Sequence, residues 1–367
     1  MLLSTVRALA LGSLLGTSFA RVNNVPIDNS TLDELYAAAL KEDGKLIVAS
    51  GGDAGVQGSG VRNAWAARFP KIALDYQVDL SKYHDSRIDR GYWSNNHTYD
   101  VAVLQTLHDF QRWKEEDRLL FYKPPTFLDL YAGETDLDGA FLPIGISSFG
   151  SFIYDSDAVS PSDVPTSYAD LLDPKWKGKI VATYPNDDDA IAFLFSIIIE
   201  KYGFEWFDAF AAQDVQWVRG TATPGFVIRD NHNNVTSASG SSPDGRVLSF
   251  TGYAPANASY IKTVQPPAPE QHMAWAQTAA AFTTTKRPNT AKLFLAWITS
   301  DDYQKASTSG SVRKSLDVNG ETYKSNTTQT SQFRQFMQDR RRVDWWKLQY
   351  ETTLGSAQGV SPLELYP

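Results

Sequence analysis

The sequence contains no cysteine among its 367 residues. This absence excludes disulfide bonds, thiolate zinc sites, cysteine nucleophiles and a lipid-modified N-terminal cysteine. A protein of this size can do without covalent cross-links when its hydrophobic core is large, and 42% of the residues are apolar. We therefore expect a large core, divided between two domains or two lobes, to stabilise the fold.

Long hydrophobic runs are also missing. The two most apolar stretches, 8–15 and 190–199, are shorter than the ~20 residues that a membrane-spanning helix needs. The first follows Arg7 and precedes the small residues that end at Ala20, so residues 1–20 are predicted to be a signal peptide cleaved after Ala20. The stretch 190–199 is predicted to be a buried helix. Without a membrane-spanning segment, the mature protein is expected to be soluble and secreted.

Basic residues are fewer than acidic residues. The chain has 34 Lys and Arg residues against 42 Asp and Glu residues, which gives a net charge of −8. An acidic protein repels phosphate backbones, so we do not expect nucleic acid as a partner. The dense basic run at 340–342 is interpreted as the solvated face of a helix.

Sequence signatures of common hydrolases are absent as well. The chain has neither a Gly-x-Ser-x-Gly elbow nor a His-Glu-x-x-His motif. We expect no catalytic residues and no cofactor, and the sequence leaves a metal site undetermined. The five histidines have no ligand spacing such as His-x-x-x-His, so surface or core roles are predicted for His84, His97, His108, His232 and His272.

Five Asn-x-Ser/Thr sequons are present, about twice the number expected by chance from this composition. They favour a glycosylated protein of a eukaryotic secretory pathway, with a fungal-type protein as one candidate. The alternative is a bacterial, periplasmic protein in which the sequons have no meaning. The predicted glycosylation sites are Asn29, Asn96, Asn234, Asn257 and Asn326.

Strands and helices alternate along the chain, which predicts an α/β fold with mainly parallel sheets flanked by helices. Ser30 is predicted to cap the first helix. Predicted strands cover 45–50, 72–78, 101–104, 149–154, 179–183, 214–218 and 279–282. Predicted helices include 32–40, 61–69, 188–202, 204–213, 289–298 and 332–340.

Two passages resemble a known family. Residues 168–180 read Tyr-Ala-Asp-Leu-Leu-Asp-Pro-Lys-Trp-Lys-Gly-Lys-Ile, and residues 289–304 read Asn-Thr-Ala-Lys-Leu-Phe-Leu-Ala-Trp-Ile-Thr-Ser-Asp-Asp-Tyr-Gln. Both resemble segments of the periplasmic ferric-iron-type binding proteins, within the type II solute-binding class, and they occur in the expected order. Residues 149–155 and the glycine-rich loop at 51–60 agree with the same resemblance, which covers roughly residues 40–310.

The resemblance implies two α/β lobes joined by hinge strands, with the ligand in the cleft between them. The first lobe would be discontinuous, comprising 21–145 plus 263–367, and the second would comprise 146–262. Bacterial members of the family pass their cargo to a membrane permease, so such a partner is implied only for a bacterial protein. The protein is expected to act as a monomer.

Candidate ligand-binding residues follow from a general rule for open α/β sheets. Ligands bind at the carboxyl ends of strands, where helix N-termini present free amides that favour anions. Turns, helix caps and core packing are the competing interpretations for each position. The candidates are Ser50, Gly51, Gly52, Asp53, Thr106, Ser147, Ser148, Thr183, Asn186, Asp187, Thr221, Thr223 and Tyr253.

The predicted ligand is a small anionic or zwitterionic solute, either a phosphate- or phosphonate-bearing molecule or a metal–anion complex. The family's iron binders use two adjacent tyrosines, but this chain has no Tyr-Tyr pair and offers only Tyr253. Ferric iron needs several anionic oxygen ligands, and a single tyrosine supplies only one. The sequence therefore leaves open whether iron is the ligand. The alternatives to solute binding are an extracellular enzyme on the same fold and a surface-interaction protein with a vestigial cleft.

Overall fold

A computed structural model of the chain describes residues 25–236, 245–307, 310–317 and 330–366. Two β-sheets, each flanked by helices, form two α/β halves, which confirms the predicted α/β class. The prediction of mainly parallel sheets is wrong, because both sheets contain antiparallel as well as parallel strand pairs. The predicted signal peptide lies outside the described residues. Among the helices of the described ranges, none combines the length and the apolar character that crossing a bilayer requires.

The first sheet contains five strands: β1 (Lys45–Gly51), β2 (Ala73–Asp79), β3 (Val101–Leu104), β4 (Leu142–Phe149) and β10 (Met273–Ala281). Their spatial order is β2-β1-β3-β10-β4. β1 runs parallel to β2 and β3, whereas β10 runs antiparallel to β3 and β4. Because β1 and β3 are parallel, the loops that follow them open at the same edge of the sheet.

The second sheet is built from five short strands: β5 (Phe152–Asp155), β6 (Val181–Thr183), β7 (Gln216–Val218), β8 (Leu248–Ser249) and β9 (Ile261–Val264). β5 lies between β8 and β9 in antiparallel register, and β6 pairs with β7 in parallel. A parallel bridge between Ile180 and Leu248 joins the two groups into one layer. The loops after β6 and β7 face the first half of the molecule.

Helices flank both sheets. The first sheet carries α1 (Leu32–Ala39), α2 (Ser59–Arg68), α3 (Ser81–Trp93), α4 (Leu107–Glu115), α8 (Pro288–Ile298) and α9 (Asp301–Gln304). The second sheet carries α5 (Asp189–Tyr202), α6 (Phe204–Ala211) and α7 (Thr223–His232). Short 3₁₀ helices lie at Phe127–Asp129, Ala169–Leu172 and Pro174–Trp176.

The N-cap of α1 differs from the prediction, because Thr31 and not Ser30 caps this helix. The Thr31 hydroxyl accepts a hydrogen bond from the Glu34 amide at 3.2 Å, and the Glu34 carboxylate accepts one from the Thr31 amide at 2.8 Å. This reciprocal pair is a capping box, which satisfies two helix-end donors at once.

The single strand predicted over 149–154 is wrong, because two strands of different sheets occupy this stretch. β4 ends at Phe149 and β5 begins at Phe152. Between them Gly150 has a φ of +105°, a backbone conformation that other residues rarely adopt. The chain therefore crosses from the first sheet to the second at this glycine, and it returns between Val264 and Met273.

Each half has its own aromatic core. Around the first sheet, Trp65 packs against Phe69 and Trp297, with ring centroids 4.7 and 5.3 Å apart. In the second half, Phe195 of α5 is fully buried among other aromatic rings, including Phe210. The stretch 190–199 is thus a buried helix, as predicted.

The C-terminal helices extend from the first half onto the second. They are α10 (Thr330–Gln338), α11 (Arg340–Leu354) and α12 (Pro362–Leu365). α10 contacts β10 and α4, whereas α11 packs on α5 and α6. The Tyr350 hydroxyl donates a 2.7 Å hydrogen bond to the Ala192 carbonyl oxygen inside this contact. The C-terminal segment therefore contacts elements of both halves.

The described sequons are all at the surface. Asn29, Asn96, Asn234 and Asn257 are exposed, and Asn326 lies outside the described residues. Exposure is a requirement for glycosylation, which itself stays a prediction.

A buried carboxylate joins α11 to α5. Asp189, in the first turn of α5, pairs with Arg340 at 2.8 Å and with Lys347. Burial by itself opposes ionisation of Asp189, but the two cations lower its pKa from the ordinary 3.8 to about 2. An acid with a lowered pKa in the folded state stabilises the fold above its ordinary pKa and loses this contribution as the pH falls.

We expect Asp189→Asn to lower the free energy of unfolding by about 2 kcal/mol at pH 7, in line with the size of the pKa shift. The loss should shrink as the pH falls from 3.8 towards 2, where Asp189 itself becomes protonated. Urea unfolding of both proteins across this pH range checks the prediction. Asp163→Asn is the matched control, because the Asp163 side chain is 62% exposed and lies 3.8 Å from Lys175. An equal loss in the control would contradict the assignment.

Candidate ligand-binding cleft

A cavity of about 640 Å³ lies where the two halves meet, and we call it the cleft. Its walls come from the carboxyl end of β1 and the following loop, from β4 and β10, and from the loops after β6 and β7. This is the position that the strand-end rule predicts for a ligand. The predicted residues that line it are Ser50, Gly51, Gly52, Asp53, Ser147, Ser148, Thr221 and Tyr253.

Two further predicted residues line a small side crevice next to the cleft. Thr106 and Asp187 border this space of about 40 Å³, which shares Asp188 with the cleft. The Asp187 carboxylate is not free to bind a ligand by itself, because it forms ion pairs with Lys82 at 2.7 Å and with Arg219 at 3.0 Å. Lys82 belongs to α3 of the first half, so Asp187 forms an ion pair between the two halves.

The remaining three predicted residues have structural roles outside the cleft. Thr183 is fully buried, and its hydroxyl donates to the Gly220 carbonyl oxygen at 2.9 Å. The Thr223 hydroxyl donates to the Arg219 carbonyl oxygen at 2.7 Å, in the first turn of α7. The Asn186 amide donates to the Gly355 carbonyl oxygen at 3.0 Å. The side chains of these three residues are bonded to backbone carbonyl groups, and none of them lines the cleft.

Asp53 joins the two halves directly. Its Oδ2 atom accepts hydrogen bonds from the Thr221 amide, from the Thr221 hydroxyl at 2.9 Å and from the Ala222 amide at 3.1 Å. We call Asp53, Thr221 and Ala222 the clasp. The two amides precede α7, whose N-terminus carries the positive end of the helix dipole. A carboxylate from the first half therefore occupies the type of position that a bound anion takes at a helix N-terminus.

Glycine makes the clasp geometrically possible. Gly220 has a φ of +79°, and a Cβ atom there would lie 2.6 Å from Pro362 and 3.1 Å from Asp53 Oδ2. Any other side chain would both strain the backbone and crowd the carboxylate. Gly220 thus turns the chain so that the next two amides point at Asp53.

Burial raises the pKa of Asp53, while the hydrogen bonds from Thr221, Ala222 and Gln57 act in the opposite direction. Its Oδ1 atom is also buried and has no hydrogen-bond partner among the described residues. The clasp therefore holds one carboxylate oxygen firmly and leaves the other without a donor.

A second polar contact between the halves lies beside the clasp. The Gln57 side-chain amide donates to the Tyr253 hydroxyl, and Gln57 Oε1 accepts from the amides of Asp53 and Ala54 at 2.6 and 3.0 Å. Burial raises the pKa of Tyr253 well above its ordinary value, so the phenol is neutral at physiological pH. Tyr253 is thus both a wall of the cleft and part of the contact between the halves.

Sequence reasoning missed the aromatic wall of the cleft. Four further aromatic residues line it: Tyr76, Phe149, Trp275 and Tyr303. The rings of Phe149 and Trp275 pack with centroids 5.1 Å apart on neighbouring strands. β10 was predicted only over 279–282, so the half that carries Trp275 was not recognised as a strand. The alternating pattern of β2 contained Tyr76, but it did not indicate which face meets the cleft.

The ionisable lining of the cleft is acidic. Asp53 and Asp188 contribute carboxyl groups, whereas no Lys, Arg or His is found among the described residues that line it. Burial raises the pKa of Asp188 to about 6, although its Oδ1 atom accepts hydrogen bonds from the amides of Ala190 and Ile191. A ligand in the cleft would therefore meet carboxyl groups, hydroxyls and aromatic rings, and no cationic side chain.

Metal-binding groups are found elsewhere. Among the described residues, two sets of Asp and His side chains lie close enough to share an ion, one around His108 and one around His232. Neither set lines the cleft. The cleft carboxyls of Asp53 and Asp188 are instead engaged by backbone amides.

The sequence model of one protein family matches residues 96–312, which is more than half of the chain. The family is described as bacterial extracellular solute-binding protein. No curated protein matches the chain in sequence.

Solved structures of binding proteins share the fold. A substrate-binding protein of an ABC transporter from Agrobacterium tumefaciens is 14% identical, with a TM-score of 0.69 over 84% of this chain and 94% of that chain. Iron-bound HitA from Pseudomonas aeruginosa is 16% identical, with a TM-score of 0.60 over 83% and 99%. AfuA from Actinobacillus pleuropneumoniae, with fructose-6-phosphate bound, is 16% identical, with a TM-score of 0.60 over 82% and 97%.

These neighbours are two-lobed periplasmic binding proteins, so the predicted two-lobed architecture is confirmed. The family and its structural neighbours are binding proteins rather than enzymes. The chain belongs to the bacterial extracellular solute-binding protein family.

Proposed function

We propose that this protein is an extracellular receptor that closes its two lobes around one small zwitterionic solute. The observation that supports this most directly is the cleft, a cavity of about 640 Å³ between the two halves that is lined by carboxyl groups, hydroxyls and aromatic rings. Its volume lies within the range of ordinary small-molecule sites.

The lobe division predicted from the sequence is part of this proposal. The first lobe would comprise 21–145 plus 263–367, and the second 146–262. The chain crosses between the sheets at Gly150 and again before Met273, close to both proposed boundaries. The packing of α11 on α5 and α6 suggests one refinement, in which the C-terminal segment braces the second lobe.

The lining favours a zwitterion over a simple anion. An ammonium group would be attracted to the carboxyls of Asp53 and Asp188 and to the face of Trp275. An acidic group could accept hydrogen bonds from the hydroxyls of Ser147 and Ser148. A phosphate or phosphonate alone would find no cationic partner in the described lining, and the amides before α7 are already engaged by Asp53.

The structural relatives do not decide the ligand, because HitA is iron-bound and AfuA holds fructose-6-phosphate on the same fold. The side chains that line the cleft support a zwitterion. In a bacterial cell the protein would deliver its solute to a membrane permease, as expected for a substrate-binding protein of an ABC transporter such as that of Agrobacterium tumefaciens. A glycosylated eukaryotic protein would instead scavenge or sense the solute.

Ligand class is tested by native mass spectrometry of the purified protein, followed by thermal unfolding with a panel of solutes. Glycine betaine and free amino acids represent zwitterions, and phosphate, phosphonate, ferric ion, thiamine and a polyamine represent the other classes. We expect at least one zwitterion to raise Tm by several degrees, because a ligand that binds only the folded state stabilises it. A panel in which only phosphate or phosphonate raises Tm would contradict the proposal.

Trp275→Leu is expected to weaken binding of that solute roughly tenfold, because it removes an aromatic face worth ~1–2 kcal/mol to a cation. Isothermal titration calorimetry measures the effect. Trp93→Leu is the matched control, since Trp93 is 82% exposed and does not line the cleft. Equal affinities of the two variants would show that the solute binds elsewhere.

Closure is tested separately through the clasp. Asp53→Ala removes hydrogen bonds to a charged group, each worth ~1.5–3 kcal/mol, so we expect the open form to gain at least tenfold in population. Small-angle X-ray scattering of the ligand-free protein should report a larger radius of gyration. Asp187→Ala, which breaks the ion pair with Lys82, should act in the same direction.

The matched control for closure is Asp75→Ala. Asp75 pairs with Lys45 on the surface of β2, and both side chains are more than one-third exposed. Its radius of gyration should equal that of the wild type. If all three variants scatter like the wild type, the clasp does not hold the lobes together. If Asp53→Ala abolishes a catalytic turnover while its scattering is unchanged, the enzyme alternative replaces the proposal.

A further inference from the structure

Outside the cleft, three potential metal ligands converge between two helices of the first lobe. α3 carries Asp85, and the first turn of α4 carries His108 and Asp109. One ligand atom of each side chain lies within 4.8 Å of the corresponding atoms of the other two. Two carboxylates and one imidazole are a donor set that divalent transition metals accept.

Two polar atoms of these side chains are buried and have no hydrogen-bond partner among the described residues. The Asp109 side chain is only 3% exposed, and its Oδ2 atom makes no hydrogen bond to any described residue. His108 Nε2 lies 3.7 Å from Asp109 Oδ1, and the other ring nitrogen, Nδ1, is buried without a hydrogen-bond partner among the described residues. Leaving a buried polar atom unsatisfied costs ~1–3 kcal/mol, and more when the group is charged. A cation bound within the cluster would satisfy Asp109 Oδ2.

The surrounding groups hold the carboxylates in place. Arg112 donates to Asp109 Oδ1 at 2.7 Å, which fixes the carboxylate and leaves Oδ2 free. The Ser86 hydroxyl donates to Asp85 Oδ1 at 2.9 Å. Outer partners of this kind orient the ligands of metal sites. Two carboxylates this close repel one another unless a proton or a cation lies between them.

A second Asp–His cluster lacks these features. His232 Nδ1 lies 2.9 Å from Asp155 Oδ2, and the Tyr260 ring stacks on the imidazole with centroids 3.5 Å apart. The third member, Asp157, is 70% exposed. None of its ligand atoms is among the buried atoms that have no partner in the described residues. The His–Asp pair is satisfied by its own contact and serves as a comparison.

We propose that Asp85, His108 and Asp109 bind one divalent transition-metal ion, for which Zn²⁺ is the probe, at a site separate from the solute cleft. Water would complete the coordination, since three protein ligands leave a position open. The absence of a His-x-x-x-His spacing predicts a surface or core role for His108. The partners instead come from a neighbouring residue and from a different helix.

The test uses the mature protein without a polyhistidine tag, after treatment with a chelator and its removal. Titration with Zn²⁺ should show one equivalent bound per chain, by calorimetry and by elemental analysis. Asp109→Asn and His108→Gln should each weaken binding roughly tenfold or more. Co²⁺ supplies a second measurement, since its d–d absorption reports the ligands directly and the chain has no cysteine to interfere.

His232→Gln is the matched control, because it removes an imidazole from the other Asp–His cluster. It should bind Zn²⁺ as the wild type does. Circular dichroism establishes that each variant is folded, and Asp85→Asn replaces Asp109→Asn if the latter is not. The proposal is overturned if the wild type binds no Zn²⁺, if His108→Gln binds it equally well, or if His232→Gln loses it to the same extent.

Discussion

The contact between Asp53 and the start of α7 joins the two halves through buried hydrogen bonds, and the chemistry of the cleft is constrained by it. A carboxylate of the first half accepts three hydrogen bonds from Thr221 and Ala222 of the second half. Helix N-termini in this position are suited to anionic ligands, because their amides are unpaired. Here the protein supplies the anion itself, and this has a consequence for the cargo. A ligand must compete with Asp53 for these amides or bind to other groups in the cleft.

Burial of carboxylates is a recurrent feature of this acidic chain, and each one is satisfied differently. Asp189 is paired with Arg340 and Lys347, and its pKa falls to about 2. Asp53 is surrounded by amides and a hydroxyl, and burial raises its pKa. Asp109 has one oxygen bound by Arg112, and the other is buried without a hydrogen-bond donor among the described residues. The same residue type thus braces the fold, holds the lobes together or offers a ligand, according to its neighbours.

The candidate site could be predicted in part. The rule that ligands bind at strand ends selected Ser50, Gly51, Gly52 and Asp53, and the structure places all four in the cleft. It also selected Thr183, whose hydroxyl is buried against Gly220. The rule identifies loops and does not determine side-chain direction, so it cannot separate a residue that faces the cleft from one that faces the core. Trp275 was missed for a different reason, because β10 is buried on both sides and lacks an alternating pattern.

The sequence by itself determined the class of fold and the family. The segments at 168–180 and 289–304 carry a turn, the entry to a strand and a buried helix, and these are local features that can be recognised without a distant partner. Only the tertiary structure decided the chemistry of the cleft and of the Asp85–His108–Asp109 cluster. Both depend on side chains that are distant in sequence, such as Asp53 and Thr221, which lie 168 residues apart and meet through one carboxylate oxygen. Hydrogen bonds and electrostatic interactions act over a few ångströms in space, so no local pattern records them.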